Sequence, residues 1–377
     1  MMRILCFVAP CLAIGRIGMA DSFTNGLFQD DYILPARRQV TTNSTSSIYQ
    51  LVETYDASNF WDKFEFVETT PTNGDPTHGF VLYQNRSEAK RLGLIRIDGD
   101  VATMKVEAST AISGTNLTNM GRKSVRVESL ATYKEGLIVG DFSYVPKKQC
   151  GSWPAFWTYA KNPGWPNGGE IDIYEQWNTY PFNRQTIHMN TSFTGSCNLS
   201  VTHNTVAPVF TNYKYTQDCN VTQPDNVGCS TWDFEGPYGS PTGGVYAMLL
   251  SPTTNVVKLW TFHPDASPFA VDAALSNTNT SSSSSSSTVD ISTWGTPGLV
   301  IGADGNCDVA RTFASQTIVL NLEVCGDAVS DEDWTGESGC AIATGYNSCW
   351  RFAAAEPAAW EGVGFGVRSI KIYQAKQ

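Results

Sequence analysis

The apolar positions of this chain recur in short runs with a period of two, not with the longer period of a helix. In Lys123-Ser-Val-Arg-Val-Glu-Ser129, a strand turns Val125 and Val127 to a core and sends Arg126 and Glu128 to the opposite face. Gly136–Tyr144 is apolar over most of its length, the pattern of a strand buried on both faces. Val245–Leu250 and Val256–Phe262, separated by a polar turn, read as a hairpin. Thr317–Val324 and Val367–Tyr373 are further strands, and Asp75–Tyr83 is a turn leading into one, with His78 in a structural role. In Trp153-Pro-Ala-Phe-Trp157, alternation groups Trp153, Ala155 and Trp157 on one side. In Thr186-Ile-His-Met-Asn190 it groups Thr186, His188 and Asn190 opposite Ile187 and Met189. No run approaches the ~20 apolar residues of a membrane-spanning helix. Residues 191–243 are rich in loop formers, and Ser281–Ser287 is a low-complexity surface insertion. The pattern is all-β.

The pattern breaks at one place. Gly168-Gly-Glu-Ile-Asp-Ile-Tyr-Glu-Gln-Trp177 carries Glu170, Asp172 and Glu175 in a strand-forming run. Glu170 and Asp172 share a face, with Ile171 and Ile173 turned to the core. Strict alternation would send Glu175 into that core, where an ionised carboxylate is costly. One extra residue at Ile173-Tyr174, a β-bulge, returns Glu175 to the face of the other acids and brings Trp177 with it. Such a row suits glycoside hydrolysis, which needs a carboxylate to attack the anomeric carbon and a carboxylic acid to protonate the leaving oxygen. Glu170 is assigned as nucleophile, Glu175 as acid/base and Asp172 as the group between them. Close like charges raise one pKa, so the acid keeps its proton at mildly acidic pH. An acidic run by itself also fits a solvated edge strand or a calcium loop. The nearby Trp153, Trp157, Trp165 and Trp177 argue against both, because indole faces stack on sugar rings.

Cys150-Gly-Ser-Trp-Pro-Ala-Phe-Trp157, Trp165-Pro-Asn-Gly-Gly-Glu-Ile-Asp-Ile-Tyr-Glu175 and Gln185-Thr-Ile-His-Met-Asn190 together resemble glycoside hydrolase family 16. The similarity is to the fungal endo-β-1,3(4)-glucanases, or laminarinases, and runs from about Tyr49 to Gln374. The resemblance implies a β-jelly-roll sandwich of two antiparallel sheets, an open concave substrate cleft and a retaining mechanism. It places Arg126, Trp157, Trp165 and His188 against the sugar chain, and Trp177 joins them as a residue that reshapes the far subsites. The chain departs from its relatives at Cys325-Gly-Asp-Ala328, where a cleft tryptophan is replaced unless Trp334 substitutes, and at Leu249-Leu250. A glucan transglycosylase and a non-catalytic glucan-binding protein are the alternative functions.

Composition fits an extracellular enzyme. The net charge of −11 disfavours nucleic acid and anionic membranes as partners, which leaves a neutral β-glucan polysaccharide and a monomer as the expectation. No cofactor or metal is expected, and no loop demands calcium. Of the ten cysteines, Cys6 and Cys11 lie in an apolar N-terminal stretch. The rest lack metal-site spacing and predict disulfides in an oxidising compartment. Their connectivity is open, with Cys340–Cys349 a plausible local pair. Sequons at Asn43, Asn85, Asn116, Asn190, Asn198, Asn220 and Asn279 agree with secretion. Residues 1–20 read as a signal peptide, although Arg16 is atypical there. Residues 21–48 read as a linker or propeptide, and 49–377 as the catalytic domain with its insertion at 278–290.

Overall fold

The computed structural model describes residues 47–70, 74–113, 120–200, 217–221, 226–234, 236–264 and 288–376. The signal-peptide reading, nearly all of the linker and the Ser281–Ser287 tract lie outside the described residues. So do Cys6, Cys11 and the sequons at Asn43, Asn116 and Asn279.

Two antiparallel sheets pack face to face in a jelly-roll sandwich. The front sheet has seven strands, in the order Cys229–Asp233, Asn183–His188, Glu170–Glu175, Ser152–Tyr159, Gln316–Val324, Arg126–Tyr133 and Phe64–Phe66. The back sheet has nine. Its main path runs Thr288–Asp290, Ile48–Asp56, Gly364–Ala375, Gly136–Tyr144, Gly244–Ser251, Val256–Phe262 and Leu299–Ile301. The expected hairpin is present, with Val245 opposite Phe262 and Ser251 opposite Val256.

Period-two alternation fills the space between the sheets. Phe156 and Tyr174 come from the front, and Phe142, Tyr246 and Phe365 from the back. Their rings meet edge-on or tilted at 5.0–5.8 Å, geometry that adds about 0.5–1.5 kcal/mol per pair to plain burial. The back sheet also buries its outer side, where Tyr49, Leu137, Val139, Leu249, Trp260 and Trp294 form a second apolar cluster. Strand Gly136–Tyr144 is therefore apolar on both faces, as its sequence predicts. Leu249 and Leu250 belong to these two apolar layers, so the departure from the relatives at that pair lies in the back sheet, away from the acids.

Disulfides join Cys150 to Cys340, Cys197 to Cys307, Cys219 to Cys229 and Cys325 to Cys349. The local pair Cys340–Cys349 does not form. Each of these cysteines opens its own short helix, Cys340–Thr344 or Cys349–Ala355, and each ties that helix back to a residue beside a front-sheet strand. Trp334 is fully buried, and its indole donates to the Tyr346 carbonyl. It therefore does not replace the tryptophan missing at Ala328.

Candidate active site

The outward face of the front sheet carries the chemistry, and its rows follow from the ladder register. Residues directly opposite one another share a face. Glu170 lies between His188 and Tyr159, and Asp172 between Thr186 and Trp157. After Asp172 the register shifts, so that Tyr174 faces Phe156 and Glu175 faces Ala155. Ile173 is the inserted residue. Ile173 and Tyr174 are both fully buried, and the bulge turns Glu175 outward beside the other acids.

Local contacts hold the bulge. The Asn183 side-chain oxygen accepts the Glu175 N–H at 3.0 Å, and its amide nitrogen donates to the Ile173 carbonyl at 3.3 Å. At the other end of the strand, Gly169 has φ +71°, and a Cβ there would come within 2.6 Å of Phe313. Only glycine meets both conditions. The Gln316 amide donates to the Gly168 carbonyl at 2.9 Å, fixing the loop that leads into Glu170.

Each outer glutamate has an indole beside it. Trp153 donates to Glu175 at 2.7 Å, and the Trp165 side chain lies close enough to Glu170 to draw its pKa down. The His188 Nε2 lies 3.4 Å from the Asp172 Oδ2 and 3.9 Å from the Glu170 Oε1. The Glu170 side chain keeps 15% of its surface exposed and Asp172 keeps 6%, so the acids are mostly desolvated but remain reachable. Burial, followed by the charges of Asp172 and Glu175, pushes Glu170 well above the ordinary carboxylate range; Arg126 and Trp165 pull it down. Burial and the Asp172 charge push Glu175 up to about 7, against the opposing pull of Arg184, Trp153 and His188. Between them Glu170 and Glu175 retain a proton where isolated carboxylates have lost theirs.

The remaining sequence candidates divide. The Arg126 guanidinium lies 5.1 Å over the Trp157 ring and is forked onto the Glu128 Oε1 at 2.8 and 3.1 Å. Trp157 is half-buried, leans on Tyr159 at 5.3 Å, and donates to the Asn321 Oδ1 at 2.8 Å. Trp165 is 45% exposed. Trp177 is set apart from this group. It is 2% exposed, packed edge-on against Phe182 at 5.9 Å and covered by Arg184 at 5.3 Å. Its place past the strand end puts it in an aromatic cluster with Tyr180, Phe182 and Trp232 and off the open face. Asn190 lies beyond strand Asn183–His188. It caps the short helix after it and donates to the Asn167 Oδ1 at 2.9 Å, bracing the loop that holds Trp165.

Sequence reasoning passed over several residues of the site. Trp153 stood in the alternating run with Trp157, and its partner could have been suspected from that. Asn183, Arg184 and Asn321 carried no signal, because an isolated amide or arginine in a strand looks like any solvated side chain. Among the described residues, Glu170, Asp172 and His188 offer ligand atoms all within 4.8 Å of one another, close enough to gather around a cation. These same groups form the acid row.

A family model described as the XgeA-like catalytic GH16 domain matches residues 64–373. A probable endo-1,3(4)-β-glucanase of Aspergillus fumigatus is 33% identical over 341 residues, covering 87% of this chain and 46% of that protein. The endo-1,3(4)-β-glucanase xgeA of Emericella nidulans is 31% identical over 345 residues, covering 87% of this chain and 48% of its own length. The chain thus spans about half the length of the curated relatives it matches. An elongating family 16 β-1,3-glucosyltransferase superposes with a TM-score of 0.72 at 30% identity, covering 86% of this chain and all of that one. Laminarinase 16A from Phanerochaete chrysosporium, solved with 6-O-glucosyl-laminaritriose in its donor and acceptor sites, superposes at 0.68 with 28% identity, covering 87% of this chain and all of that one.

Proposed function

The chain belongs to glycoside hydrolase family 16, and on that premise we propose that it is a secreted, monomeric endo-β-glucanase. It cleaves internal β-1,3 bonds, and mixed β-1,3-1,4 chains, with retention of configuration. The observation that carries this reading is the bulge at Ile173, which aligns Glu175 with Glu170 and Asp172 on one open face. Glu170 attacks the anomeric carbon while Glu175 passes its proton to the leaving glycosidic oxygen. The resulting glycosyl–Glu170 ester is opened by a water that Glu175, now a carboxylate, deprotonates. Arg126 and Trp165 offset negative charge at Glu170, and Asp172 helps hold the proton on Glu175. Trp157, Trp165 and Arg126 contact the sugar chain. The disulfides and the acidic surface support an extracellular setting, and no described helix is long and apolar enough to cross a membrane.

The test is a hydrolysis panel of laminarin, lichenan, curdlan and agarose, with the anomeric form of the first product followed by NMR. Release of the α-anomer would overturn the retaining assignment, and absence of cleavage on every β-glucan would overturn the hydrolase reading. A second reading has one specific support, the structural likeness to an elongating β-1,3-glucosyltransferase. In that reading a sugar hydroxyl, not water, resolves the ester. Mass spectra showing products longer than the substrate would favour it.

A further inference from the structure

Behind the Trp157–Arg126 surface lies a buried polar chain whose hydrogen bonds run in only one direction. An indole N–H can only donate, so Asn321 must present its oxygen to Trp157, as it does at 2.8 Å. The Asn321 amide nitrogen then faces the Tyr83 hydroxyl at 3.2 Å and donates to it. Having accepted there, Tyr83 spends its single proton on the Glu323 Oε2. Glu323 and Tyr83 are buried, and Asn321 is 7% exposed. The chain ends beside Asp75, whose charge acts on Glu323. Neither the Glu323 Oε1 nor the Asp75 Oδ1 has a hydrogen-bond partner, so a proton held by Glu323 has an acceptor in Asp75. Burial, then the Asp75 charge, raises Glu323 accordingly. Asp75 is fixed in turn, its Oδ2 accepting from the Thr77 and Gly79 N–H groups at 3.1 and 2.9 Å. Gly79 packs so tightly on Glu323 that a Cβ would lie 1.7 Å from its Oε1. Tyr83, Asp75 and Arg126 also line a surface cavity of about 200 Å³, so the chain borders space open to a ligand.

We propose that Tyr83, Asn321 and Glu323 are positioning residues for glucan binding: they form a relay of fixed polarity that sets the plane of the Trp157 indole and, through it, the Arg126 guanidinium. This deepens the reading of the chain as a β-glucan enzyme and rests on it. Trp157 and Arg126 meet the sugar, and the relay acts only through them. Its removal therefore weakens binding far more than it alters the bond-breaking step.

The experiment measures the laminarihexaose dissociation constant by calorimetry in the Glu170→Ser background, and KM and kcat on the same oligosaccharide in the active protein. Tyr83→Phe is expected to weaken binding and raise KM about fivefold, the size of one net hydrogen bond, with kcat within about twofold of the parent. Glu323→Gln keeps an oxygen for Tyr83 and gives Asp75 a permanent N–H, so binding should stay within about twofold. Tyr83→Phe binding as tightly as the parent, or lowering kcat with KM unchanged, overturns the proposal. Melting curves check folding; if Tyr83→Phe does not fold, Asn321→Ala cuts the same relay, and the same outcomes decide. Cleavage of laminarin by the unmodified protein reports separately on the hydrolase reading. If cleavage fails while hexaose still binds, the hydrolase reading falls and the calorimetry still judges the relay. If no hexaose binds, both fall.

Discussion

The two outer glutamates of the acid strand share a residue type, a strand face and an indole neighbour, yet their surroundings are built differently. Beside Glu170 stands Trp165, a loop residue that is 45% exposed. Its neighbours on the face are His188 and Tyr159, with the Arg126 charge acting on it. Glu175 takes its N–H from Trp153, a strand residue locked in register opposite Glu323. Behind it, Asn183 stitches the bulge and the Arg184 charge opposes the rise of its pKa. One end is open and lined by groups that a sugar can reach; the other is built into the sheet. This division suits the proposed roles. A nucleophile must meet a substrate that arrives and leaves, whereas a group that gives and retakes a proton needs a constant environment to hold its pKa near the working pH.

Substitutions at the two ends should separate these roles. The largest effect is expected from Glu170→Ser, which removes the attacking carboxylate and should lower kcat on laminarin at least ~10⁴-fold with oligosaccharide binding retained. Residual activity near the parent's would void the nucleophile assignment. Glu175→Gln should cost about 10²–10⁴-fold on natural glucan and much less on an aryl glucoside, whose leaving group needs no proton. Equal losses on both substrates would erase the distinction between the two ends.

Smaller effects sharpen the contrast. The Trp153 N–H lowers the Glu175 pKa from a value otherwise set by burial and Asp172. Glu175 must be protonated to act as the acid, so activity should fall as pH rises through about 7. Trp153→Phe should move that alkaline limit upward, and Trp165→Phe should raise KM with the limit little changed. A pH–rate profile for each variant checks the pair. Stability gives the last and smallest signal. Glu175 has an ordinary value of 4.5 and is raised to about 7 in the fold, so between those pH values the folded state holds a proton that the unfolded chain has released. Stability should therefore decline as pH rises across that window. The Glu175→Gln variant stays neutral, so its melting temperature should match the parent's near pH 4.5 and exceed it increasingly as pH rises through about 7.

Trp177 and Trp153 show where local reading reached its limit. Alternation plus one bulge brought Trp177 to the open face, but the strand stops at Glu175 and the chain then turns into the cluster of Phe182 and Trp232. Alternation groups Trp153 with Trp157 on one side of its strand, but its bond to Glu175 emerges only when two strands are set side by side. The disulfides follow the same rule: Cys340 and Cys349 are close in sequence, yet each pairs with a cysteine beside a different front-sheet strand.

The sequence by itself determined which residues alternate and where alternation had to fail. The β class, the both-sided burial of Gly136–Tyr144 and the bulge at Ile173 follow from it, because side-chain facing along a strand is a local property with period two. Only the tertiary structure decided what each outward side chain meets: Trp153 against Glu175, Asn321 between Trp157 and Tyr83, Glu323 against Asp75. Those contacts join residues up to about 250 positions apart, and their hydrogen-bond polarity exists only once the strands lie side by side.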